Sequence, residues 1–379
     1  MTERSHAFFA TTARGLEEVL EQELVDMGMK GVQKGQGGVA FEGPVEECYR
    51  ANLHLRTSNR ILMLLKTFPC DDPDTLYRES ADVPWEELLT PSHTFMVDAF
   101  TRDTDRLRNS QYSALKVKDA VADAMRRRRG ARPNVDRMDP DLRINLYVNE
   151  GKASLSLDSS GDRLHRRGYR QDRGMAPLKE TLAAGLILLS QWDRRSPLLD
   201  PMCGSGTILI EAALMAEKRA PGSLRPRFGF QRWLNFKRKA WKAVLSGASE
   251  AQPPEAGCRI LGMDTDASVL RAARMNARKA GVHHLIRFVQ QDALSISPPE
   301  THGIILTNPP FGHRLRLGRD AGQFYKTFGD MLKRSFSGWV AEVFTGDKNM
   351  PKQIGLRTCR RRILFNGPIE CRLLRYELY

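Results

Sequence analysis

No apolar run in this 379-residue chain approaches the roughly 20 residues that a membrane-spanning helix needs. The opening residues Met1-Thr2-Glu3-Arg4-Ser5-His6 lack the basic and apolar stretches of a secretory leader, so the cytoplasm is the expected compartment. The six cysteines, Cys48, Cys70, Cys203, Cys258, Cys359 and Cys371, form no C-x-x-C pair. That argues against a disulfide frame and against a zinc site, and no metal is expected. Acidic residues are in short supply, with 45 Asp+Glu against 59 Lys+Arg, a net charge of +14. A polyanionic partner fits that excess better than an acid-rich or membrane-embedded one. The shortage is uneven. Residues 1–99 hold 9 basic and 17 acidic side chains, residues 100–176 hold 18 and 11, and residues 177–379 hold 32 and 17.

The length favours more than one core. Residues 1–70 read as a small α+β unit, with strands at 7–11, 38–41 and 60–65 and a helix from Leu16 to Met27 that stops at Gly28. Residues 71–170 hold an expected strand at 94–99, a helix from Ser110 to Arg127, and a hairpin of two alternating strands, 142–148 and 152–158, joined at Asn149-Glu150-Gly151. Two basic clusters flank this hairpin. Arg126, Arg127, Arg128 and Arg129 close the helix, and Arg166, Arg167 and Arg170 follow the second strand with Tyr169 among them. With Lys116, Lys118 and Arg132 they make a candidate phosphate-backbone surface, although cations at a helix end also answer the dipole. Residues 171–379 alternate strands and helices, the pattern of a doubly wound parallel sheet. An insertion at about 219–257 is rich in Arg, Phe and Trp. It could stack on bases or close over a cleft as an amphipathic lid.

Four successive strand ends in this last unit carry chemistry. The first gives Asp200-Pro201-Met202-Cys203-Gly204-Ser205-Gly206-Thr207, a glycine turn opening a helix. Leu209 stands where a dinucleotide fingerprint needs its third glycine, and no G-K-[ST] follows, so dinucleotide and P-loop sites are disfavoured. Asp264 ends the next strand, where a carboxylate can accept from two ribose hydroxyls. Asp292, with Ala293 beside it, ends the third and can accept from an adenine amine. The fourth, Ile304-Ile305-Leu306-Thr307, runs into Asn308-Pro309-Pro310-Phe311. Two prolines fix φ and remove two backbone donors, so an amide and a flat ring frame a rigid turn. That suits a planar group bearing an NH2. Taken singly, each carboxylate also suits a helix N-cap. Together they suit a nucleoside-bearing cofactor beside an amine clamp.

Asp200–Thr207 with Asn308–Phe311 resembles the class I S-adenosylmethionine-dependent methyltransferases that modify amines. The stretches Arg108–Tyr112, Lys116–Ala120, Arg132–Arg137 and Leu157–Gly161 resemble a THUMP RNA-binding domain. With Thr12–Glu18 and Ala176–Ala184, the likeness spans nearly the whole chain. It points to the large-subunit rRNA guanine-N2 methyltransferases, and to the N-terminal half of a bifunctional bacterial 23S form. The chain ends at Tyr379, without the guanine-N7 half of that form. Relatives often carry Tyr where Phe311 stands and an acidic residue where His313 stands. The resemblance implies a Rossmann-like class I methyltransferase domain at 171–379, preceded by a ferredoxin-like unit at 1–70 and a THUMP-like domain at 71–170. It implies S-adenosylmethionine as cofactor, 23S rRNA as partner, and Lys179, Glu180 and Thr181 near the methionine end, although these three also suit the polar first turn of a helix. The clamp alone does not choose guanine over adenine or a protein glutamine. A tRNA guanine-N2 enzyme and a non-catalytic RNA-binding assembly factor are the alternatives.

Overall fold

The computed structural model describes residues 5–170, 178–248, 258–310 and 321–379. The first half contains strands β1 (His6–Thr11), β2 (Lys30–Gly35), β3 (Gly38–Gly43), β4 (Arg60–Pro69), β5 (Thr94–Arg102), β6 (Asn134–Val135), β7 (Leu142–Asn149) and β8 (Lys152–Asp158). Its helices are α1 (Glu17–Asp26), α2 (Val45–His54), α3 (Pro73–Ala81) and α4 (Ser110–Arg129). The eight strands form one sheet in the order β2-β3-β1-β4-β8-β7-β5-β6. The units expected at 1–70 and 71–170 therefore share a sheet. They are joined where β4 pairs antiparallel with β8, from Leu62 opposite Asp158 to Pro69 opposite Lys152.

Local chemistry sets the elements. In β7, Leu142, Ile144, Leu146 and Val148 point into the core, while Arg143, Asn145, Tyr147 and Asn149 take the other face, the period-two pattern of a half-covered strand. Glu150 and Gly151 have φ of +48° and +70°, the paired left-handed residues that a two-residue hairpin turn demands. Asn109 caps α4 by accepting from the Tyr112 amide at 3.1 Å, and Gly130, at φ +74°, ends it behind four arginines. Four elements escaped the sequence pattern, the two-residue strand β6 among them. Strand β2 is a polar edge, and α2 carries its apolar residues without a polar cap at Pro44. Asp72, expected as loop punctuation, is the N-cap of α3 with Pro73 in its first turn.

The second half contains β9 (Leu198–Asp200), β10 (Ile260–Asp264), β11 (Ile286–Gln290), β12 (Ile304–Thr307), β13 (Val340–Thr345), β14 (Arg360–Asn366) and β15 (Ile369–Glu377). Around them lie α5 (Glu180–Ser190), α6 (Thr207–Ala216), α8 (Ala267–Lys279) and α9 (Ala321–Ser335), while α7 (Arg238–Ala248) packs against α2 of the first half. The sheet order is β11-β10-β9-β12-β13-β15-β14, parallel through β13 and antiparallel at the last two. This is the doubly wound, Rossmann-like arrangement read from the sequence. Its strand order reverses between β9 and β12, the point at which such sheets open a ligand crevice. Helix α6 is buried on every side, because it lies against the sheet and beneath the segment that arrives from β8.

The aromatic insertion is neither a lid nor an exposed stacking surface. Phe228, Phe230, Trp233 and Trp241 are buried in the core of the first half, with Phe230 stacked on Tyr49 at 4.3 Å between ring centroids. A Cβ on Gly229 would meet the Gly161 amide nitrogen at 2.8 Å, so only glycine allows the arm to seat this closely. The Phe230 amide donates to the Ser159 carbonyl at 2.9 Å. The Arg225 guanidinium donates to the carbonyls of Ser160, Asp162, Arg163 and Arg166. The insertion is a brace between the two sheets.

Candidate active site

The carboxyl ends of β9, β10, β11 and β12 surround a cleft of about 530 Å³. Of the residues expected at the cofactor, Asp200, Pro201, Cys203, Gly204, Ser205, Thr207, Asp264, Asp292, Ala293 and Asn308 line it, and so does Pro310. Gly206 sits just behind as the left-handed N-cap of α6, at φ +80°. A Cβ there would press on Ala273 and Phe288 at 3.2–3.3 Å.

The turn is tied to the neighbouring strand end. The Gly204 amide donates to Asp264 Oδ2 at 3.0 Å and the Asp266 amide to Asp264 Oδ1 at 3.0 Å. A carboxylate held by two backbone donors has a fixed orientation and keeps further lone pairs for a diol. Asn276 Nδ2 donates to the Ser205 carbonyl at 3.2 Å from α8. Asp292 does act as an N-cap, accepting from the Leu294 amide at 2.9 Å, and also lines the cleft. It therefore caps a short turn and borders the cleft at once. Asp200 is 2 % exposed. Burial raises its pKa to about 7, the Asp264 charge pushes the same way, and the Thr307 hydroxyl and Met202 amide oppose them.

The turn after β12 carries an unpartnered acceptor. Asn308 Oδ1 is buried and accepts no hydrogen bond among the described residues, a costly condition unless a donor arrives. Pro309 is buried. The Tyr325 hydroxyl donates to the Pro310 carbonyl at 3.3 Å, which steadies the turn from α9. Phe311 lies outside the described residues, as do Ala176 and Pro177.

Several expected positions fall elsewhere. Glu180 is buried and pairs with Arg170 Nε at 2.9 Å, and the Thr181 hydroxyl donates to Asn59 Oδ1 at 2.9 Å. Lys179 is the half-buried N-cap of α5. None of the three lines the cleft. Arg167, Tyr169 and Arg170 do not belong to an RNA-facing surface. Arg167 and Tyr169 are each 1 % exposed, both bonded to the buried Glu211. Arg170 spans Glu180, the Leu178 carbonyl and the Thr207 hydroxyl, and so struts the glycine turn from beneath. The other basic candidates lie on the surface of the first half. Arg126, Arg127, Arg128, Arg129, Arg132 and Arg166 are exposed. Lys116 and Lys118 are half-buried on α4, and Lys118 pairs with Asp119. Sequence reasoning missed Phe324 and Tyr325, which reach the clamp from the first turns of α9. Their aromatic pair just after the clamp strand was the available signal.

Comparison with known proteins agrees with this architecture. Residues 7–62 match the RlmL ferredoxin-like domain, 70–158 the THUMP domain, and 167–375 the RMKL-like methyltransferase domain. A ribosomal RNA large subunit methyltransferase K/L of Syntrophotalea carbinolica is 42% identical over 98% of this chain and 53% of its own length. The chain thus spans about half the length of that relative. A putative RNA methyltransferase of Synechocystis sp. is 40% identical over 98% of this chain and 97% of its own length. The solved structure of SMU.472, a putative methyltransferase complexed with SAH, superposes with a TM-score of 0.90 at 28% identity, covering 100% of this chain and 99% of that one. With its domain matches in this order and relatives of this identity along its length, the chain belongs to the RMKL-like methyltransferase family.

Proposed function

We propose that this methyltransferase transfers a methyl group from S-adenosylmethionine to the exocyclic N2 amine of a guanosine in 23S rRNA. The observation that carries the reading is the buried Asn308 Oδ1, which has no donor among the described residues, at the edge of a nucleoside-sized cleft. The residues fit the cofactor. Asp264 would hold the ribose diol, Asp292 and Ala293 the adenine, and the turn from Asp200 to Thr207 the methionine end. When bound, S-adenosylmethionine supplies a methyl group on an electrophilic sulfonium.

The chain's own contribution is position. Guanine N2 is a weak nucleophile because its lone pair is delocalised into the ring. Asn308 Oδ1 and the Pro309 carbonyl would each accept one of its N–H bonds and favour a more tetrahedral nitrogen. Phe311 would stack on the base, which must be unpaired or drawn from its stack to reach the clamp. Orientation of this kind can supply up to ~7–11 kcal/mol of a barrier. The transferred amine loses its extra proton afterwards, so no dedicated base is needed.

Deleting the gene and mapping 2-methylguanosine in rRNA and tRNA by mass spectrometry tests the reading. One 23S position is expected to lose the mark. Loss from tRNA alone, or from N6-methyladenosine, would overturn the assignment. In the purified protein, Asn308→Ala should abolish transfer while calorimetric affinity for S-adenosylmethionine stays within about threefold, because most of the cofactor's contacts would come from Asp264, Asp292 and the glycine turn.

A further inference from the structure

The basic clusters that the sequence offers as an RNA surface are partly consumed inside the protein, which leaves open how a strand reaches the clamp. At β5 and β7 the sheet of the first half has one covered and one open face. Helix α4 packs on the side of Leu142, Ile144, Leu146 and Val148. The opposite side carries Phe100, at 57% exposure, and Tyr147, at 38%. The two residues are register partners on adjacent parallel strands. Their rings lie 5.8 Å apart and 7° from coplanar. A cross-strand aromatic pair stabilises a sheet when it is covered. Left in water, two parallel rings instead offer π-faces to planar guests.

The same face continues along β7 to Arg143, four residues and about 13 Å from Tyr147. Arg143 and Asp158 form one wall of a cavity of about 580 Å³, and Arg225 and Phe228 from the brace form another. The carboxylates in this cavity already have cations. Asp139 pairs with Arg227 and Arg232, Asp158 with Arg60, and Asp162 with Arg166. Arg225 instead donates to four backbone carbonyls, so its charge has no carboxylate partner there. The Nε donors of Arg143 and Arg225 are both buried and have no acceptor among the described residues. Arg143 pairs with Asp98 through Nη1 at 2.9 Å, while the two Nε donors still call for an acceptor oxygen, which a phosphate supplies.

We propose that this open face binds an unpaired RNA strand, with Phe100 and Tyr147 stacking on its bases and the cavity between Arg143 and Arg225 receiving a phosphate. The proposal rests on the RNA reading above and names the surface that would present the strand. Unpaired RNA is favoured over duplex because stacking needs exposed base faces.

The test is fluorescence anisotropy of the full chain with a 5′-labelled single-stranded oligoribonucleotide of mixed sequence, and with the same oligonucleotide annealed to its complement. Phe100→Ala/Tyr147→Ala should weaken single-strand binding about tenfold or more. Duplex binding, the melting temperature and the affinity for S-adenosylmethionine should be unchanged. Phe100→Tyr/Tyr147→Phe should bind as the unaltered protein does. The proposal is overturned if the double alanine variant keeps its single-strand affinity, or loses single-strand and duplex affinity equally. If the unaltered protein methylates 23S rRNA while the alanine variant binds normally, only this surface is wrong. If the unaltered protein binds neither form of RNA, the RNA reading falls with it.

Discussion

Two arginine-rich segments look alike in the sequence and have opposite fates in the fold. Arg126–Arg129 ends a helix at the surface, although Arg126 pairs with Asp123 and Arg128 docks on Glu86 and the carbonyls of Ala81, Asp82 and Val83. The segment 163–170 must carry the chain from the first sheet to the second. It passes through the gap between them, and Arg167 and Tyr169 are buried on Glu211 while Arg170 bonds Thr207. One run of charge answers a dipole and faces solvent. The other is a buried polar joint. Composition cannot tell them apart, because the difference lies in what the chain does next.

The largest expected contrast is in stability. Arg167→Ala would leave Glu211, 0% exposed, with its Arg167 partner gone, and should cost ~3–5 kcal/mol in urea denaturation. Arg127→Ala on the exposed run should stay within about 0.5 kcal/mol. Equal losses would erase the distinction.

A smaller effect concerns acid. His165, in the buried segment, has its pKa lowered to about 3 by burial, and Lys179, Arg163, Arg166 and Arg167 push it further in the same direction. The unfolded chain binds this proton near pH 6.5 and the folded one does not, so stability is intact above that pH and falls as pH drops toward 3. At pH 5 the penalty is roughly 1–2 kcal/mol. His165→Gln should remove it, so that the variant gains on the unaltered protein at pH 5 and not at pH 7.5. Melting curves at the two pH values decide the point.

Arg170→Ala should weaken S-adenosylmethionine about tenfold by calorimetry, since the strut under the glycine turn is charge-assisted, with little change in RNA affinity. The reverse outcome would return Arg170 to the RNA surface. Smallest of all, Arg127→Ala should flatten the salt dependence of RNA binding by about one unit of slope without altering the cleft.

What the sequence made legible follows from these contrasts. The four strand ends of the cleft were readable because each pairs a short apolar run with a residue type that has few other uses there. The strands of the parallel sheet were readable for the same reason. Elements α2, α3 and β2 were not, because their pattern is weak or polar and packing decides them. Asp72 shows this, since a cap and a turn use the same residue types. The brace was misread because aromatic residues among arginines suit both a core and a nucleic-acid surface. Only its contacts with Tyr49 and Gly161 separate the two. Thr181 was drawn toward the cofactor by resemblance, and its bond to Asn59 depends on a residue more than a hundred positions away.

The brace has a genetic consequence. Because Phe228, Phe230, Trp233 and Trp241 from the second half complete a core made mostly of first-half residues, the two halves are not interchangeable parts. A recombination event that swapped the region before residue 171 for a distant counterpart would have to bring a matching socket around Tyr49, Ser159 and Gly161. Without it, four large aromatic side chains would be left in water. Inheritance of the two halves should therefore be linked, and a substitution at Gly161 should find its suppressors near Gly229.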